Sequence, residues 1–290
     1  MLKLRLLWIS ATISARISSA LVKGRQDMIF RLPLVLYVIV FCAGVMITLH
    51  FQTIGIASEQ WSVLIFALLG LLSFAFVHIE QRMINKRLAI MVEKCQIREF
   101  ISIWSKLLKR AKFFGMKQRF LLDHSTAYLS IKESSLAKQI LDEVTHFSNN
   151  KMGAINKVLY YNNLTSYYFQ IDDIENALIA NEKLKLALQN KKIVNEVRAG
   201  FLRNYEQCFV VSKMSKGNYD GAEDFFKEQF TYRNNLLGKV NAMHHLANIY
   251  LFEKDITKAK EALSYVCENG GDTYYAQEAK VNLIELNNIL

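Results

Sequence analysis

Residues 160–178 read YYNNLTSYYFQIDDIENAL, and residues 241–263 read NAMHHLANIYLFEKDITKAKEAL. In the first, Leu164, Tyr168 and Ala177 stand at offsets 0, 4 and 13; in the second, Leu246, Tyr250 and Ala259 stand at the same offsets. A third copy places Phe209 and Ala222 thirteen apart around KGNYDGA, with Lys213 where the aromatic would be. A fourth keeps only Tyr128 and Ala137, nine apart as in the first two. Spacings of four and thirteen put these side chains on one face of helices, and the polar IDD, KGN and EKD triplets between them read as turns. An apolar face of this kind needs a neighbour to cover it. The alanines at 137, 177, 222 and 259 lie 40, 45 and 37 residues apart, so the chain from about 118 onward reads as a series of related helix pairs.

Working outward, residues 276–290, ending LIELNNIL, read as a last helix covering the final pair. Towards the N-terminus, Met83, Ile84, Leu88, Met91, Val92 and Cys95, then Phe100, Ile101, Ile103, Trp104, Leu107 and Leu108, recur at helical steps, and Gly115 reads as a break. Before them stand two apolar blocks, LPLVLYVIVFCAGVMITLHF (32–51) and WSVLIFALLGLLSFAFVHI (61–79), neither with Asp, Glu, Lys or Arg. About 20 helical residues cross the hydrocarbon core of a bilayer, so 32–79 reads as a transmembrane helical hairpin. Pro33, the one proline, stands where the first span would begin.

Charge orients this hairpin. Residues 1–31 carry six basic residues against one acid, residues 80–117 ten against three, and residues 118–290 twenty against twenty-one. Basic flanks on both ends of a hairpin put both termini in the cytoplasm. The excess hugs the predicted membrane and leaves the folded part neutral, so it suits anionic headgroups and argues against nucleic acid. The domains expected are a basic amphipathic segment (1–31), the hairpin (32–79), basic juxtamembrane helices (80–117) and the helical repeats (118–290). The acid-free first 26 residues also fit a mitochondrial presequence, and less well a secretory signal.

The repeat pattern resembles the tetratricopeptide (TPR) family, whose units are antiparallel helix pairs stacked into an α-solenoid. The fold expected is all-α: the hairpin followed by a TPR-like α-solenoid. The resemblance implies that Leu164, Tyr168, Ala177, Phe209, Ala222, Leu246, Tyr250 and Ala259 pack the repeats. It also implies that the first helix of each pair lines a groove for a partner, here through Asn162, Asn163 and Ser166 in one unit and His244, His245 and Asn248 in another. Amide and imidazole groups suit the backbone of a peptide. The basic set that grips chaperone C-termini in part of the family is not found.

No phosphate loop, nucleophile elbow or HExxH occurs, and neither catalysis nor a cofactor is expected. His244 and His245 point about 100° apart on a helix, so they do not make a metal site together. Cys42, Cys95, Cys208 and Cys267 have no metal-type spacing and read as small apolar residues without a disulfide. The function expected is an integral membrane scaffold binding a protein or peptide, in the plasma membrane of a bacterium. The alternatives are a mitochondrial membrane protein of assembly or import and an accessory subunit of a transport complex.

Overall fold

A computed structural model describes Gly70, Ala75, His78 and residues 82–110, 114–148 and 152–288. The segment 1–31, and residues 32–79 where a hairpin is expected, apart from those three helical positions, lie outside the described residues. Among the described residues, no helix is long and apolar enough to cross a membrane. The chain divides into two compact units, residues 1–78 and 79–290, and nearly all the described residues belong to the second.

This unit is all-α, with no strand among the described residues. Residues 82–92 are helical (α1). There follow α2 (Ile97–Arg110), α3 (Phe114–Ser130), α4 (Ser134–Ser148), α5 (Ala154–Gln170), α6 (Ile174–Leu188), α7 (Asn195–Met214), α8 (Ala222–Tyr232), α9 (Leu236–Glu253), α10 (Ile256–Asn269) and α11 (Tyr274–Asn288). Each helix from α2 onward packs mainly on its sequence neighbours, while α3 also packs on α5, α5 on α7 and α9 on α11, and a side-chain hydrogen bond from Gln207 to Asn241 links α7 to α9. The expected break at Gly115 is not there. Gly115 lies inside the first turn of α3, and the chain turns instead at 93–96, between α1 and α2.

The four turns inside the helix pairs share one geometry, placed by the alanines. Five residues before each alanine the backbone is left-handed: Lys132 (φ 62°), Asp172 (φ 57°), Gly217 (φ 78°) and Lys254 (φ 63°). The next N–H in each turn donates to the carbonyl nine residues before the alanine. These bonds are Glu133 to Tyr128 (2.9 Å), Asp173 to Tyr168 (2.9 Å), Asn218 to Lys213 (3.0 Å) and Asp255 to Tyr250 (2.9 Å). Such a bond closes a helix C-terminus and reverses the chain. It uses the backbone alone, so Lys213 serves where the other copies have tyrosine. Asp173 and Asp255 then accept the N–H groups of Asn176 and Lys258, capping the helices that follow. Ala137, Ala177, Ala222 and Ala259 are essentially fully buried, which lets the paired helices approach closely.

Leu246, Tyr250, Ala222 and Ala259 share the largest apolar cluster, built from α8 to α11, and Leu164 packs in a second one against Leu121 and Leu141. Tyr168 is half-buried. Phe209 departs from its expected packing role: it is 37% exposed and meets Tyr205 edge to face at 5.0 Å on its own helix. In α2, Ile97, Phe100 and Trp104 fall on one buried face. Trp104 also donates its indole N–H to Phe120 O at 2.9 Å, tying α2 to α3.

The last turn returns to the first helices. Cys95, fully buried, sits in the α8–α11 cluster and accepts the N–H of Asp272 at 3.2 Å. The Asp272 carboxylate takes the N–H groups of Ile97 (2.5 Å) and Arg98 (2.8 Å), the open donors at the start of α2. Gly271 (φ 56°) makes this approach possible, because a Cβ there would collide with the Cys95 carbonyl. Asn269-Gly270-Gly271-Asp272 thus acts as a clasp.

The shared turn predicts opposite effects of glycine chemistry at equivalent positions. Lys254→Gly, at an exposed left-handed residue, should raise stability by up to about 1 kcal/mol, while Gly217→Ala should lower it by about 1–2 kcal/mol. Urea denaturation followed by circular dichroism reads both. Equal changes of one sign would contradict the common turn geometry.

Candidate functional site

Side chains chiefly from α3, α5, α7, α9 and α11 face one cavity of about 620 Å³. Its wall is held by amides, each of which supplies a donor and an acceptor. Asn163, fully buried, donates to Leu122 O (2.9 Å) and Ser125 Oγ (2.8 Å), joining α5 to α3. Asn204 donates to Asn162 Oδ1 at 2.8 Å, joining α7 to α5. Gln207 donates to Asn241 Oδ1 at 3.0 Å, and Asn241 to the Tyr275 hydroxyl at 2.7 Å, carrying the chain of bonds through α9 to α11. Adjacent members of this inner row are therefore linked by polar side chains as well as by packing.

Glu278 of α11 closes the row. One carboxylate oxygen lies 2.8 Å from Lys132 Nζ, in the turn after α3, and the other 3.1 Å from His244 Nε2 on α9. The hydrogen bond from His244, with the help of Lys132, holds the Glu278 carboxyl down at about 2. Tyr274 and Tyr275, neighbours on α11, lie with ring centroids 4.0 Å apart beside this bridge. Burial pushes both phenols above their ordinary range.

All six residues expected to line a groove border this cavity, but they are not equally free to meet a ligand. Asn162, Ser166, His245 and Asn248 are half-buried at its surface, and Ser166 Oγ donates to Asn162 O of its own helix at 3.1 Å. Asn163 and His244 are buried: the Asn163 amide is bonded to α3 and His244 Nε2 to Glu278, while the buried His244 Nδ1 has no hydrogen-bond partner among the described residues. The two histidines diverge. His244 turns to Glu278, whereas His245 stacks on Phe226 of α8 at 4.4 Å and 18°. Burial pushes His245 down to about 3 and His124, in α3, down to about 4, so both are neutral at physiological pH.

Among the described residues, no group of three His, Cys, Asp or Glu could hold a metal ion. Burial pushes the thiols of Cys95 and Cys208 up to about 11 and about 12, which leaves them unreactive as nucleophiles.

Arg233, which no sequence motif marks, enters the cavity from the end of α8. Its Nη2 donates to Asn204 Oδ1 at 2.5 Å, and its stem runs against Gly238 at the start of α9. A Cβ at Gly238 would come within 3.0 Å of Arg233 Cγ and Cδ, so the absence of a side chain there admits the arginine. A single arginine near a turn carries no signal in a sequence. The pairing of Arg233 with Gly238 exists only once α8 and α9 pack.

Compared with known proteins, the chain matches no protein-family model, no curated protein and no solved structure.

Buried neutral histidines make stability depend on pH. A group whose folded value lies below its unfolded one near 6.5 binds more protons when unfolded, so stability falls as pH drops from about 6.5 towards the folded value. The melting temperature should therefore decline between pH 6.5 and 4, and His245→Phe should flatten part of that decline. An unchanged slope in this variant would contradict the burial of His245.

Proposed function

We propose that this chain is an integral membrane scaffold whose TPR-like helix pairs hold an extended segment of a protein partner in the inner cavity. The observation that carries the reading is the lining: amides, hydroxyls and rings drawn from five helices of the inner row around one cavity of about 620 Å³. An extended peptide presents an N–H and a carbonyl at every residue. Half-buried side chains such as Asn162, Asn248 and Gln207 offer both complements without demanding one sequence. The wall behind them is rigid, because Asn163, Gln170 and His244 are already bonded to neighbouring elements, and a preformed wall lowers the ordering cost of binding.

The charge-free blocks 32–51 and 61–79 supply the anchor in this reading, and the basic flanks place the repeats on the cytoplasmic side.

The test is photo-crosslinking in cells that express the full chain, with a benzophenone amino acid at Ser166 or Asn248 in the cavity, or at Leu186 on the outer side of α6, where the side chain is 64% exposed. The reading predicts a discrete adduct from the two cavity positions and none from Leu186. Adducts from Leu186 alone would move the partner to the outer surface.

A further inference from the structure

Arg233 is the one cavity-lining lysine or arginine that meets no carboxylate among the described residues. Lys132, the other such residue on the lining, is paired with Glu278. Arg203, its neighbour in charge, is paired with Glu228 at 2.7 Å and lies over the Tyr232 ring at 3.9 Å. Arg233 has one side-chain partner, the neutral Asn204 Oδ1. A guanidinium carries five N–H donors in a planar fork, so most of them remain for something else. Its setting is costly for a cation: burial pulls it below the ordinary arginine range, the neighbouring Tyr232 offsets only part of this, and Arg203 adds repulsion. Its position is nonetheless fixed, by the stem packed on Gly238 and by Asn204, itself bonded to Asn162. A half-buried, oriented cation with no carboxylate partner, facing a polar cavity, is the complement of an anion.

We propose that Arg233 receives a carboxylate of the bound segment, with Asn204 and Asn235 as neutral neighbours. The inference rests on the peptide reading of the cavity and adds the chemical class of the group that docks deepest on α8 and α9. A carboxylate matches the guanidinium fork with two parallel bonds. Asn235 is committed elsewhere, its Oδ1 accepting the Gly238 N–H at 2.8 Å as the cap of α9, so it frames the site and does not compete for the anion. Two sources share this chemistry, the C-terminal carboxylate of a peptide and an Asp or Glu side chain within one.

The experiment is calorimetric titration of the purified full chain in detergent with three probes: N-acetyl-tetraalanine as free acid, the same peptide amidated, and an amidated tetrapeptide with one central Glu. A charge-assisted bidentate contact should make at least one carboxylate probe bind about tenfold tighter than the amidated tetraalanine. That preference should vanish in Arg233→Gln and weaken in Arg233→Lys, which keeps the charge and loses the fork. Preference for the free acid assigns a C-terminus, and preference for the Glu peptide assigns a side chain. Equal binding of all three overturns the carboxylate proposal and leaves the peptide reading standing. A preference that survives in Arg233→Gln overturns it too. If no peptide binds, sodium acetate protecting Arg233 from phenylglyoxal in the wild-type chain would retain the anion site while the peptide reading fails, and absence of protection would end both. Because phenylglyoxal protection needs no variant, a misfolded substitution does not mask the answer.

Discussion

Asp272 takes the free N–H groups at the start of α2, 175 and 174 residues before it in the chain, and the rest of the unit depends on that contact. Helix pairs that touch only their neighbours hold no fixed distance between first and last. Here the clasp sets it. A carboxylate on two helix N-terminal donors is worth about 1–2 kcal/mol, and burial of Cys95 in the α8–α11 cluster adds apolar contact to it. With both ends fixed, Lys132 and Glu278 come within 2.8 Å, and side chains from five inner helices share one cavity.

Much of this was legible in the sequence, for a physical reason. A position that must accommodate a close helix approach accepts little beyond alanine, and the alanines at 137, 177, 222 and 259 mark all four turns. The all-α class and the pairing of helices follow from them. The left-handed residue was not legible, since two lysines and an aspartate occupy it as well as Gly217. Phe209 was misplaced because its offset matched while its neighbours differed, and it stands exposed beside Tyr205.

The cavity was legible in part. The resemblance to TPR units, and not periodicity, pointed to Asn162, Asn163, Ser166, His244, His245 and Asn248, and each borders the cavity. A family resemblance does not say which of them are consumed by the wall. That depends on partners such as Ser125 and Glu278, 38 and 34 residues away. Glycines 270 and 271, and the Gly238 that admits Arg233, look like ordinary loop and helix residues until the contacting backbone is in place. The features that define the site are thus those with the longest reach along the chain.

The return of the last helix to the first is the claim on which the cavity stands, and zero-length crosslinking tests it most directly. Carbodiimide treatment of the full chain, followed by mass spectrometry, should join Lys132 to Glu278 as readily as Lys117 to Glu143, a pair at 2.9 Å between neighbouring helices. Recovery of the Lys117–Glu143 product without the Lys132–Glu278 product would show an open row of helix pairs and contradict the account.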